Sequence, residues 1–245
     1  MPQVFLAEFL GTAALLLIGC AAVANAVLAG TKGVATGIGW LTPSVGWGMA
    51  VFAGAGVGFH SGAYLNPALV LAQVVRGREL TAGVAPTLGN VAGYVLAEFL
   101  GAFVGSALAW LAFKSHFDGE PDPAKKLGVF ATGPQIRAPL WNLVTEAVAT
   151  FLLVVVIFHF AVNPAGFGPL YAGLLVLGIA VGLGGPTGYA INPARDLAPR
   201  VAHAILPIPG KGPSDWGYSW IPVLGPLLGG GLGGLVCRFL PYLPG

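Results

Sequence analysis

The sequence predicts an all-α membrane protein with six transmembrane helices and two re-entrant half-helices, arranged as an inverted repeat. Three observations lead there. The composition is too apolar for a water-soluble domain, long apolar runs alternate with two short ones, and Asn-Pro-Ala opens both short ones.

Of the 245 residues, 56% are hydrophobic and 8% charged, with a mean hydropathy of +0.83; soluble domains carry about a quarter charged residues. Glycine is abundant inside the apolar runs, which suits membrane helices whose backbones approach closely. A net charge of +2 without a basic stripe gives nucleic-acid binding no support. Cys20 and Cys237 lie in apolar stretches near opposite ends and read as buried free thiols. His60, His116, His159 and His203 are scattered, so no metal site, cofactor or enzymatic centre is expected. Near the N-terminus, "LLLIGCAA" and "AAVANA" resemble cleavage sites of exported proteins. No Lys or Arg precedes them, however, and Glu8 interrupts the apolar run, so this segment is expected to stay as the first membrane helix.

Membrane-crossing helices are expected at residues 4–29, 45–58, 86–113, 139–162, 169–184 and 216–240, the second and fifth being short as apolar runs and extended by flanking residues. Two amphipathic segments, Pro67–Arg76 and Pro193–Ile205, are too short to cross. The order long, long, short, long occurs before residue 113 and again after residue 139, and "LAEFLGTAALLL" around Glu8 is echoed by "VTEAVATFLLVV" around Glu146. Residues 1–245 therefore read as one domain of two repeats, about 1–113 and 139–245, joined by a polar loop at 114–138. Each repeat has an odd number of spans, so the two insert with opposite orientation, which places a functional site near the midplane. Arg76 and Arg78 fall on one side of this map and Lys114, Lys125 and Lys126 on the other, so charge does not set the absolute orientation.

Asparagine is a strong helix N-cap, and proline fits the first helical position. Asn66-Pro67-Ala68 and Asn192-Pro193-Ala194 thus read as two capped helix starts, with alanine small enough for them to meet head to head. The asparagine NH2 groups are expected to remain free to donate into a pore, and two positive dipole ends oppose cations there. A third copy, Asn163-Pro164-Ala165, precedes "GFGPLYAG" and reads as a turn between spans without a pore role. Arg195 directly follows the second motif; an arginine at membrane depth must face water or a partner. Asp196 is expected to stabilise the first turn of its half-helix.

The paired motifs, the duplicated plan and the glutamates Glu8 and Glu146 resemble the major intrinsic proteins, or aquaporins, over nearly the whole chain. Within that family "GYAINPARDLAPR", with Asp196 and Arg200, and Pro222 in "WIPVLGP" resemble the glycerol uptake facilitators. The resemblance implies a selectivity filter of Trp47, Ala180, Tyr189 and Arg195, with Ala180 where water-specific members place a histidine. Trp47 is one residue closer to Asn66 than the family spacing, which would select Gly46 instead. Carbonyls of Ala63, Tyr64, Ala190 and Ile191 would form an accepting lane, although Tyr64 replaces a common histidine. Glu8 and Glu146 would support the loops; Glu98 departs from the family's glutamine and has no assigned role. The implied function is passive passage of glycerol, similar neutral polyols and water, with ions and protons excluded. The implied setting is a homotetramer in the lipid bilayer, in the cell (inner) membrane. A water-selective channel and an ion-coupled carrier are the alternatives.

Overall fold

The computed structural model describes residues 1–162 and 166–240. The third motif, Asn163-Pro164-Ala165, lies outside the described residues. Among the described residues eleven α-helices follow one another: α1 (Pro2–Val27), α2 (Lys32–Ala35), α3 (Leu41–Val57), α4 (Pro67–Arg76), α5 (Leu88–Ala112), α6 (Lys114–Gly119), α7 (Pro123–Phe130), α8 (Pro139–Phe160), α9 (Pro169–Leu183), α10 (Pro193–Ile205) and α11 (Ile221–Arg238).

Four of these, α1, α5, α8 and α11, are long and apolar enough to cross a membrane. The second member of each half, α3 with 17 residues and α9 with 15, is shorter. The half-helices α4 and α10 coincide with the expected segments. With 10 and 13 residues they rise about 15 and 20 Å, against a hydrocarbon core of about 30 Å. Helix α4 stops at Gly77, whose φ of +77° allows the turn that closes the helix. The polar stretch 114–138, expected as a loop, instead contains α6 and α7.

The packing explains the glycines. Gly101 and Gly105 of α5 lie against the backbone of α1 at Phe9 and Ala13, and a side chain at either would collide with it. Gly225 and Gly229 of α11 are equally tight against α8, at the Cβ of Glu146 and the carbonyl of Ala147. Gly48 of α3 and Gly173 of α9 each approach the other's carbonyl. The opposite edge of α11, at Gly230 and Gly234, receives α4 at Ala68 and Ala72. Each half-helix therefore packs on the far half's last long helix, α4 on α11 and α10 on α5.

Large apolar side chains point outward. Helix α11 exposes Leu224, Leu228, Leu232 and Leu235 while burying its glycines, and α5 exposes Leu96, Leu100, Leu108 and Leu111 while burying Glu98 and Ser106. Leucines outside and small or polar groups inside fit a protein whose solvent is lipid.

Candidate functional site

The two half-helices begin at the centre of the bundle, with each asparagine reaching the loop that precedes the other. Asn66 Oδ1 accepts the Ala68 N–H at 2.9 Å, and Asn192 Oδ1 accepts those of Ala194 at 2.9 Å and Arg195 at 3.1 Å. Both are N-caps, with Pro67 and Pro193 at the first helical positions. The amides then cross over: Asn66 Nδ2 donates to the Ile191 carbonyl at 2.8 Å, and Asn192 Nδ2 to the Leu65 carbonyl at 2.7 Å. This corrects the expectation of free NH2 groups. One hydrogen of each is committed to the opposite loop, and the other is left for anything passing between them.

The loop before each asparagine is held by one buried glutamate. Glu8 accepts from the Ser61 hydroxyl at 2.6 Å and from the Tyr64 and Leu65 amides at 3.0 and 2.7 Å. Glu146 accepts from the Thr187 hydroxyl at 2.7 Å and from the Ala190 and Ile191 amides at 2.9 and 2.8 Å. The correspondence holds atom for atom. It stabilises a costly backbone, because Ala63, Leu65, Tyr189 and Ile191 all have positive φ, between 41° and 53°. Irregular backbone at this depth is tolerated where it lines a cavity, and Ala63, Tyr64, Ala190 and Ile191 all do so. Glu98, without a role from the sequence, joins the site here: its Oε1 accepts the Asn66 N–H at 2.8 Å.

Two cavities lie along this axis. One, about 260 Å3, runs past both asparagines towards Gln73 and Arg76. The other, about 520 Å3, opens towards Ala124, Lys125 and Gly128 of α7. Trp47, Tyr189 and Arg195 line both, so they stand where the two meet. The Arg195 guanidinium carbon is 3.8 Å from the centroid of the Trp47 ring, a cation–π contact. Arg195 is buried and forms no ion pair among the described residues.

Trp47 rather than Gly46 occupies this position. The ring fits over Gly19, where any side chain would strike it, and Gly46 is packed against Ala22 of α1. Ala180 is fully buried and lines neither cavity; its carbonyl accepts from Trp40 Nε1 at 3.1 Å. Trp40 lines the Lys125-side cavity, with its ring edge-on to Tyr189 at 5.7 Å. It is a residue the sequence reading missed; an aromatic ahead of a short membrane helix reads equally as an interfacial anchor.

Asp196 does more than stabilise a helix start. It accepts from the Thr132 amide at 2.6 Å and hydroxyl at 2.7 Å, and from Arg200 Nε and Nη2 at 2.9 and 2.8 Å. Arg200 goes on to the carbonyls of Thr132, Ser214 and Asp215. The fully buried pair thus ties the segment after α7 and the segment before α11 to the start of α10. Glu8, Glu98 and Glu146 face backbone and hydroxyl donors and line neither cavity. No group of three metal-ligating side chains occurs among the described residues.

Comparison with known proteins agrees with this geometry. Residues 1–237 match the family described as "Major intrinsic protein". The chain is 45% identical over 241 residues to the "Probable glycerol uptake facilitator protein" of Thermotoga maritima, covering 97% of this chain and 99% of that one. It is 46% identical over 232 residues to the "Glycerol uptake facilitator protein" of Streptococcus pneumoniae serotype 4, covering 94% and 95%. The X-ray structure of the aquaglyceroporin from Plasmodium falciparum superposes with a TM-score of 0.82 at 26% identity, covering 98% of this chain and 96% of that one. The chain belongs to the major intrinsic protein family.

Proposed function

We propose that this integral membrane protein is a passive channel for glycerol and similar small neutral polyols. The observation that carries the reading is the meeting point of the two cavities. Trp47 and Tyr189 offer aromatic surface there and Arg195 offers N–H donors. Glycerol has one edge of C–H groups and one of hydroxyls, so it suits such a corner better than water alone does. Beyond it, the free amide hydrogens of Asn66 and Asn192 donate, and carbonyls of Ala63, Tyr64, Ala190 and Ile191 accept, so a polyol or water exchanges hydrogen bonds as it moves.

Ions are excluded by the same parts. Each half-helix N-terminus presents about half a positive charge, and the Arg195 cation stands nearby. A cation or proton meets repulsion there. Ala180 acts from behind, setting through its carbonyl where Trp40 stands.

The reading includes one domain of two inverted repeats, about 1–113 and 139–245, and four copies in the cell membrane, each with its own path. Water permeates as well. An ion-coupled carrier is disfavoured because the buried carboxyls of Glu8, Glu98, Glu146 and Asp196 line neither cavity.

The test is stopped-flow light scattering on proteoliposomes, under a glycerol gradient and separately under an impermeant osmolyte. Glycerol equilibration much faster than in empty liposomes, without proton leak, is expected. Rapid water flux with no glycerol flux would refute the polyol reading in favour of a water-selective channel.

A further inference from the structure

Two buried carboxyl groups meet behind the first loop and have unequal surroundings. Glu8 of α1 accepts three hydrogen bonds, using both oxygens. Glu98 of α5 is equally buried and accepts one, the Asn66 N–H on Oε1. Its Oε2 has no hydrogen-bond partner among the described residues, yet the two carboxyls sit side by side, because they accept from the consecutive amides of Leu65 and Asn66 at 2.7 and 2.8 Å. The other titratable groups that bear on Glu98 are Tyr94, on its own helix, and Tyr64, in the loop before Asn66. The hydroxyl of Tyr94 is turned to the Ser61 carbonyl and that of Tyr64 to the Leu80 carbonyl. Helix α10 also packs on α5, but its charged and titratable groups have partners elsewhere: Arg195 on Trp47, Asp196 with Arg200, His203 with Ser214. No Lys or Arg among the described residues pairs with Glu8 or Glu98.

Two adjacent carboxylates without a cation in a dry site do not both ionise. Two bare acceptors also cannot bond to each other, because a hydrogen is needed between them. A single proton on Glu98 Oε2 removes both difficulties, since the orphaned oxygen becomes a donor and Glu8 is the acceptor within reach. The donor count decides which carboxyl holds it: three hydrogen bonds favour charge on Glu8, and one leaves Glu98 the neutral partner.

We propose that Glu98 is a positioning residue that retains a proton, donating it to Glu8 through Oε2 while its Oε1 holds the Asn66 backbone. A neutral acid thus links the glutamate that shapes the loop to the asparagine that ends it. The functional consequence rests on the channel reading above; the protonation does not.

Infrared spectroscopy of the membrane-embedded protein tests the proton directly, and glycerol flux tests the consequence. The wild type is expected to show the C=O stretch of a protonated carboxyl that disappears in Glu98→Gln. Glu98→Leu is expected to lower glycerol permeability about tenfold or more, because a buried amide loses its acceptor. Glu98→Gln, which can accept from Asn66 and donate to Glu8, restores most of that permeability. A band that persists in Glu98→Gln, a Glu98→Leu protein as permeable as the wild type, or a Glu98→Gln protein as impaired as Glu98→Leu would each overturn the proposal. Should Glu98→Leu not assemble, the wild type and Glu98→Gln decide the matter through the band. A wild type with the expected band and no glycerol flux would refute the channel reading and leave the proton assignment standing.

Discussion

From Asn66 the chain continues Pro-Ala-Leu-Val, and from Asn192 it continues Pro-Ala-Arg-Asp. Up to the alanine the two halves share an asparagine cap, a crossed amide and a three-bond glutamate. After it they part. Leu69 of α4 and Arg195 of α10 hold matching places, and both line the Arg76-side cavity. One place further on, Val70 is packed in an apolar cluster with Val4, Leu80 and Tyr94, whereas Asp196 holds Thr132 and Arg200. The supporting acids differ as well. Gly101 and Gly105 of α5 match Gly225 and Gly229 of α11 in their packing, which sets Pro222 where the first half has Glu98. The shared part shapes two opposed loops, and that task is the same in each. The Arg195 side chain and the anchoring of the outer segments are each supplied once, by the second half alone.

The shared part is the place to break the molecule most severely. Replacing Glu146 with leucine orphans three buried donors, and replacing Glu8 orphans the Tyr64 and Leu65 amides while Ser61 keeps the Gly58 carbonyl as its acceptor, in loops that already have positive φ. Each orphan costs about 1–3 kcal/mol. Both variants are expected to lose monodisperse protein on size-exclusion chromatography and to lose glycerol flux, to similar degrees. A large difference between them would show that the loops are not equivalent.

The unshared anchor comes next. Arg200→Leu leaves Asp196 buried without its cation and is expected to lower stability by about 3–5 kcal/mol, read as a fall in thermal unfolding temperature in detergent. The double variant Asp196→Val/Arg200→Leu copies the apolar character of the first half and is expected to recover part of that loss. A double variant less stable than Arg200→Leu would contradict this view of the pair.

Arg195→Leu makes the second half match Leu69. Arg195 forms no ion pair among the described residues, so the variant is expected to fold. Proton leak through proteoliposomes should rise about tenfold, equal to about 1.4 kcal/mol of barrier. An unchanged leak would place exclusion entirely in the helix ends. The smallest effect belongs to Trp40→Ala, which removes an aromatic contact with Tyr189 worth about 0.5–1.5 kcal/mol and frees the Ala180 carbonyl. The ratio of glycerol to water permeability is expected to fall a few-fold, and Trp40→Phe should fall between that variant and the wild type.

What the sequence made legible follows from the range of each signal. The half-helices were readable to the residue because Asn-Pro at one end and Gly77 or the apolar limit at the other are local chemistry. Span ends were less sharp, because hydropathy fades gradually: the run at 216–240 begins as a helix only at Ile221, after turns through Trp216 and Trp220. Helix α7 was missed although its start follows the same rule as the motifs. Asp122 caps it by accepting the Ala124 N–H at 2.8 Å, with Pro123 between them. Arg195 was legible by itself as an arginine at membrane depth, but the aromatic residues beside it were reachable only through family resemblance, since nothing local sets Trp47 against Arg195. Glu98 and Trp40 were beyond reach for a related reason. Each acts on a partner far along the chain, Asn66 or Ala180, and a single acid or indole in an apolar run does not point to it.

The most direct test of the account is a crystal structure of the protein soaked with glycerol. A glycerol is expected at the meeting point of the two cavities, its carbons against Trp47 and Tyr189 and its hydroxyls towards Arg195. A glycerol held elsewhere along the path, with that corner empty or filled by a rotated Trp47, would contradict it.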